Sequence, residues 1–180
     1  CKRALTEAGG DREKATRLLR ERGMVVAQKR SARVANQGLI ASTSSPDGSV
    51  YALVEVNCET DFVARNPGFA TFVAEMAKQA LTTDHALADE VKDRLLTKIA
   101  EVGENIVVRR NVRFVRQGVG AIASYIHLGG KVGVLVELGC QKTDTPAKDA
   151  FKEVLNDLLL HVAAAAPRFL VPADVPADEI

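Results

Sequence analysis

Shifting this chain against itself by 82 positions aligns Gly38-Leu39-Ile40-Ala41-Ser42 with Gly120-Ala121-Ile122-Ala123-Ser124. The same shift, without a gap, places Gly48 on Gly130, Val50 on Val132, Leu53-Val54-Glu55 on Leu135-Val136-Glu137, Cys58 on Cys140 and Phe69 on Phe151. An offset held through this many positions implies one structural unit present twice. In the first copy, residues 38–42 read as a short strand and Ser44-Ser45-Pro46-Asp47-Gly48 as a turn. Residues 50–56 alternate and are rich in β-branched side chains. Pro67 and Gly68 then open a helix with Phe69, Phe72, Val73, Met76, Ala77 and Ala80 at helical spacing. The second copy reads as strands over 118–127 and 131–138 about Gly129-Gly130. A helix follows from Pro146 to about Ala166, ended by Pro167 and Pro172. A helical stretch over 84–100 and a strand over 106–116 lie between the copies. The expected fold is α+β: two repeated ββα-type subdomains, each an antiparallel sheet with one face covered by its helix.

Ahead of the repeat lies a segment of different texture. From residue 1 to 36 there are ten Lys or Arg against Glu7, Asp11, Glu13 and Glu21, although the whole chain balances 24 basic against 23 acidic residues. Residues 2–8 read as the end of one helix and Gly9-Gly10 as a turn. Asp11 is a good N-cap, with Ala15, Leu18 and Leu19 on one apolar face and Gly23 as the C-cap. Two helices with so few apolar residues cannot close a core alone. The expected organisation is a partial N-terminal helical module over 1–24, a basic linker over 25–37, a first core subdomain over 38–90 and a second over 91–180.

Composition removes several function classes. The net charge of +1 excludes a uniformly basic nucleic-acid coat, and 4% aromatics with no Trp argues against base-stacking platforms. The apolar run from Leu158 to Ala166 is too short and too polar to span a bilayer. Cys1, Cys58 and Cys140 lack CxxC spacing and fit reduced thiols of an intracellular protein. His85, His127 and His161 lack zinc-helix spacing, and His161 is expected in or beside the core. Glu55 and Asp61 make a poor carboxylate pair, Glu59 disfavours a Cys58 thiolate, and no phosphate-binding glycine loop is present. Gly129-Gly130-Lys131 reads as a hairpin turn. A binding protein is favoured over an enzyme, with no catalytic, cofactor or metal residue assigned. The rivals are an RNA- or ribosome-binding module using the basic N-terminal segment and, further off, a small-molecule enzyme.

The copies differ where a shared scaffold leaves room for separate work. Glu59-Thr60-Asp61-Phe62-Val63-Ala64-Arg65-Asn66 stands opposite Gln141-Lys142-Thr143-Asp144-Thr145-Pro146-Ala147-Lys148, and Tyr125-Ile126-His127 opposite Thr43-Ser44-Ser45. Phe62 is either a core anchor beneath the following helix or an exposed functional side chain. For His127 the residues alone favour a satisfied structural role.

The stretch from Asn57 to Asn66 resembles the signature loop of the bacterial elongation factor Ts family. Cys1-Lys2-Arg3-Ala4-Leu5 with Gly10-Asp11 is similar to the last two helices of that family's ubiquitin-associated-like N-terminal module. Val102-Gly103-Glu104-Asn105-Ile106 with Arg109-Arg110, Ser124-Tyr125-Ile126-His127 and His161-Val162-Ala163-Ala164 extend the similarity in the family's order. The resemblance implies a cytoplasmic bacterial protein, or one of an organellar matrix. Its role would be in translation elongation, as guanine nucleotide exchange factor for the GTPase elongation factor Tu, with no direct nucleotide binding of its own. It implies that Asp61 and Phe62 intrude near the partner's Mg²⁺ and nucleotide site. Val63, Arg65 and Asn66 flank them, with further contacts from Val102, Gly103, His127 and Lys2. It also implies a core fragment, short of the family's first helix and of the elements beyond Ile180.

Overall fold

Gly38 and Gly120 occupy equivalent places in two hairpins, and each lies against a carbonyl that a side chain would strike. A Cβ at Gly38 would overlap the Val56 oxygen, and one at Gly120 would overlap the Leu138 oxygen. The repeated glycine is thus a requirement of close backbone approach. The computed structural model describes residues 2–179. Strand β1 (Gln37–Ser44) pairs antiparallel with β2 (Val50–Cys58), and β4 (Gly120–His127) with β5 (Val132–Gly139). Gly38 opposes Asn57 and Gly120 opposes Gly139, which is one register displaced by the repeat offset. In the first turn the Asp47 carboxylate accepts from the Ser45 and Ser49 hydroxyls, 2.6 and 2.9 Å away, and these bonds hold its pKa down at about 2.

Helix α4 (Pro67–Ala80) covers the first sheet, with Asn66 as N-cap accepting from the Gly68 amide at 2.8 Å. All six apolar positions expected to face inward are buried: Phe69, Phe72, Val73, Met76, Ala77 and Ala80. They pack on Ala52, Val54 and Val56 of β2. The expected helical stretch over 84–100 is divided into α5 (Leu87–Glu90) and α6 (Lys92–Val102). Strand β3 (Ile106–Val115) then pairs with β2, so the first sheet has the order β1-β2-β3. Leu87, Val91, Ile99, Ile106 and Val108 all enter the first core. The unit built on that sheet therefore runs to about residue 115, where a boundary at 90 was expected. An unpaired β2 edge would leave a row of backbone groups unsatisfied, and β3 supplies their partners.

Over the second sheet lies α7 (Asp149–Ala165), burying Phe151, Leu155 and Leu159. Pro146 belongs to a separate 3₁₀ turn over Thr145–Ala147, and the extended Lys148 starts the helix three residues later than expected. Among the described residues this sheet has two strands. His161, expected in or beside the core, is exposed on α7.

At the N-terminus α1 (Lys2–Glu7) packs on α2 (Arg12–Arg30) through Ala4, Ala8, Ala15 and Leu18. Asp11 caps α2, accepting from the Glu13 and Lys14 amides at 2.9 and 3.0 Å. Gly23 does not end the helix: α2 continues to Arg30, so residues 25–30 are helical where a linker was expected. Gly23 is buried against α6, and a Cβ there would sit 3.6 Å from the Leu96 oxygen and 4.0 Å from Ala100 Cβ. Val26 and Ala27 pack on the first core. Burial against α6 outweighs the local preference of glycine for a helix end.

Candidate functional site

Strand β2 ends at Cys58, and the chain turns there under two glutamates that brace each other's segments. The Glu104 carboxylate accepts from the Glu59 and Thr60 amides at 3.1 and 3.0 Å and from the Thr60 hydroxyl at 2.6 Å. In return Glu59 accepts from the Asn105 amide at 2.6 Å, and the Asn105 side chain donates to the Arg33 carbonyl at 2.7 Å. Two segments 45 residues apart are thereby fastened by charge-assisted bonds. Gly103 makes the geometry possible: with φ of +83° it caps α6 in the left-handed region and turns the chain so that Glu104 reaches the loop. Beneath the brace the Cys58 thiol donates to the Thr60 carbonyl at 3.2 Å, and burial, then the nearby Glu104 charge, pushes its pKa up to about 11. It is a packed, protonated thiol.

Thr60 is the N-cap of α3 (Asp61–Ala64), a single helical turn. Ala64 is buried and Val63 packs on the core, which turns the residue between Asp61 and Val63 outward. Phe62 is 83% exposed, whereas Phe69 and Phe72 are 1% and 5% exposed. Of the two roles open to Phe62, the core anchor is therefore excluded. Asp61 pairs with Arg65 at 3.1 Å, an exposed contact worth little by itself.

The loop forms one wall of a cleft of about 970 Å³ whose other wall is the β4–β5 turn, contributed by Leu128, Gly129 and Lys131. The first copy-specific segment thus faces the turn that directly follows the second, Tyr125-Ile126-His127. Lys131 does more than complete a hairpin: its ammonium donates to the Gly38 carbonyl at 3.1 Å, and the Gly130 carbonyl accepts from the Ile40 amide at 2.7 Å. His127 ends β4 exposed, with Nδ1 2.8 Å from the Tyr125 hydroxyl and the two rings stacked at 5.6 Å.

Of the residues singled out in the sequence, Asp61, Phe62 and Arg65 line the cleft, and His127 immediately precedes its far wall. Val102 and Gly103 do not line the cleft: they end α6 directly before Glu104, the residue that braces the loop. Val63 and Asn66 support the loop from behind, one by packing and one by capping α4. Lys2 does not line the cleft: it lies on α1, which packs on α2 through Ala15 and Leu18, whereas Arg30 at the other end of α2 approaches Gly103. The 19 residues of α2 span about 28 Å. Glu104 and Leu128 carried no role in the sequence reading. A Leu-Gly-Gly turn replacing Pro46-Asp47-Gly48 was the available signal for Leu128, but Glu104 had no local one. Among the described residues no group of three or more His, Cys, Asp or Glu could hold a metal, and no helix is long and apolar enough to cross a membrane.

A family model described as Elongation factor TS matches residues 59–180, which take in the loop, its brace and the second repeat. The chain is similar to proteins named Elongation factor Ts from several bacteria. The identity is 43% over 191 residues with that of Trichlorobacter lovleyi, covering 99% of this chain and 61% of the relative. It is 46% over 183 residues with that of Clostridium kluyveri, covering 94% and 58%. With that of Nitratiruptor sp. it is 40% over 190 residues, covering 100% and 62%. The chain spans about three fifths of the length of these curated relatives. With the family match extending from the braced loop to the end of the second repeat, the chain belongs to the elongation factor Ts family.

Proposed function

We propose that this chain acts in translation elongation by binding the GTPase elongation factor Tu and promoting GDP release, with Asp61 and Phe62 entering beside the nucleotide and Mg²⁺ site. The observation that carries this reading is Phe62, a large apolar side chain left in water on a loop whose backbone is fastened from beneath. GTPases of this kind hold GDP through backbone amides, a lysine and a bridging Mg²⁺. A protein that prefers a distorted arrangement of those groups weakens the nucleotide, and linkage requires the nucleotide to weaken that protein equally. No bond to nucleotide, cofactor or metal is needed on this chain, and no bond is made or broken, so the role is exchange by binding and not enzymatic catalysis.

Magnitudes divide the work. Burying Phe62 is worth roughly 1.5–3 kcal/mol, whereas a thousandfold loss of nucleotide affinity needs about 4 kcal/mol. The remainder falls to Asp61 and Arg65 in the cleft, to Val102, Gly103 and His127 outside its lining, and to Lys2 as a separate contact on α1. The braced loop is ordered before binding, which reduces the entropy lost on docking. RNA binding by the basic N-terminal segment is the weaker alternative. Arg3 and Arg22 are paired with Glu7, Arg20 with Asp93 and Arg33 with Glu59, which leaves less free charge for phosphates. The deciding experiment is stopped-flow release of fluorescent GDP from elongation factor Tu. Faster release with this chain supports the exchange reading. An unchanged rate, with salt-sensitive RNA affinity, favours the alternative.

A further inference from the structure

The β4–β5 turn carries a side chain that its own packing does not require. Leu128 is 68% exposed and has φ of +49°, in the left-handed region that a leucine rarely adopts. Gly129 and Gly130 follow at φ of +61° and +93°, so two of three consecutive left-handed positions hold the residue suited to them and the third holds an apolar one. The equivalent position of the first repeat is Pro46, in a turn closed by Asp47. A residue held in an unfavourable backbone conformation, exposing apolar surface to water, is explained by what it meets and not by how it folds.

Its position is set by backbone bonds. The Gly130 and Lys131 amides donate to the His127 carbonyl at 3.2 and 3.1 Å, and the Gly130 carbonyl and Lys131 ammonium tie the turn to β1. Leu128 is therefore presented from a fixed turn into the cleft that Phe62 lines from the other side. Two exposed apolar side chains on separately braced backbones, facing one open cleft, fit an apolar ridge of a protein helix flanked by polar groups. The charged residues around them, Asp61, Arg65 and Lys131, suit such polar flanks.

We infer that Leu128 is the second apolar contact of the docking site and closes with Phe62 on one ridge of the GTPase. The inference rests on the exchange-factor reading. It adds to His127 an apolar contact from the second repeat, at a position where the first repeat carries Pro46.

The test is Leu128→Gly in the full chain, which removes the side chain and also relieves the left-handed backbone. Thermal unfolding is expected at the wild-type temperature or above, with affinity for nucleotide-free GTPase about tenfold weaker by calorimetric titration. Leu128→Met, which keeps an apolar side chain, is expected to bind within about twofold of wild type. Wild-type affinity in Leu128→Gly, alongside weakened binding by Phe62→Ala, overturns the inference and leaves the exchange reading standing. Wild-type affinity in both variants removes this face as the docking site and the inference with it, whereas absence of GTPase binding by the wild-type chain removes the exchange reading itself.

Discussion

Ser42 and Ser124, equivalent residues of the two repeats, are hydrogen-bonded to each other, Oγ to Oγ at 3.0 Å. The contact joins the two repeats at matched positions, but its surroundings are not reciprocal: Gly130 lies against Ile40, whereas its counterpart Gly48 has open space around it. The sheets meet around that contact: a Cβ on Gly133 would come within 2.5 Å of Ile40 Cγ2 and 3.0 Å of Leu53 Cδ1. This one-sided packing brings the second turn beside the first loop and so creates the cleft. Ser42→Ala alone is expected to cost about 0.5–1.5 kcal/mol, because it leaves a half-buried hydroxyl without its partner. The double variant Ser42→Ala, Ser124→Ala should cost less than the sum of the singles in urea unfolding. Strict additivity would show that the bond is not a coupling element.

Phe62 and Phe69 lie seven residues apart and should behave oppositely. Phe62→Ala should leave unfolding free energy within about 0.5 kcal/mol of wild type while slowing GDP release from the partner. Phe69→Ala should lose about 3–5 kcal/mol. Denaturation and nucleotide release measured on the same samples separate the two, and a large stability loss in Phe62→Ala would contradict its exposure.

Glu104 fastens the loop without lining the cleft. Glu104→Gln leaves one acceptor oxygen and turns an amide group toward donors, so about 1–3 kcal/mol of local stabilisation should go. Hydrogen exchange at the Glu59 and Thr60 amides is expected to rise well before exchange in α4 changes. Unaltered protection at those two amides would remove the brace from the account.

Gly23 faces α6 with space for one methyl group, its nearest contacts being at ordinary van der Waals distance. Gly23→Ala should stabilise the protein by about 0.5–1 kcal/mol through helix propensity. Gly23→Leu should separate α2 from α6 and destabilise it. If Gly23→Ala lowers the melting temperature, the helices approach more closely than these distances indicate.

Cys58 has a folded-state pKa of about 11, raised above the ordinary 9.0 chiefly by burial. A raised value means that the neutral thiol is the form favoured by folding. Its contribution is complete below pH 9 and is lost as the pH rises toward 11. Stability measured from pH 8 to 11 should fall over that window, and Cys58→Ala should flatten this part of the curve. Alkylation at pH 8 should reach the partly exposed Cys140 before the buried Cys58.

Much of this architecture is legible along the chain. The 82-residue offset predicted two hairpins in one register and a helix over each, because alternation and helical spacing are local signals that burial reinforces. Where local and tertiary preference diverge, the chain misleads. Gly23 carries the mark of a helix end, yet the helix passes through it because its bare backbone is packed against α6. Residues 106–115 follow the middle helices in order but complete the first sheet, since only the folded β2 edge reveals which backbone groups need partners.

The sequence by itself determined the repeat, the turn chemistry, the buried face of α4 and the segment from Glu59 to Asn66 as a place where the copies diverge. Only the tertiary structure decided that Phe62 faces water, that Glu104 holds its loop from 45 positions away, and that Leu128 stands across the same cleft. The physical reason is range. Periodicity and turn preference act over a few residues, whereas exposure, charge-assisted bracing and the shape of a cleft depend on which distant segments the hydrophobic core brings together.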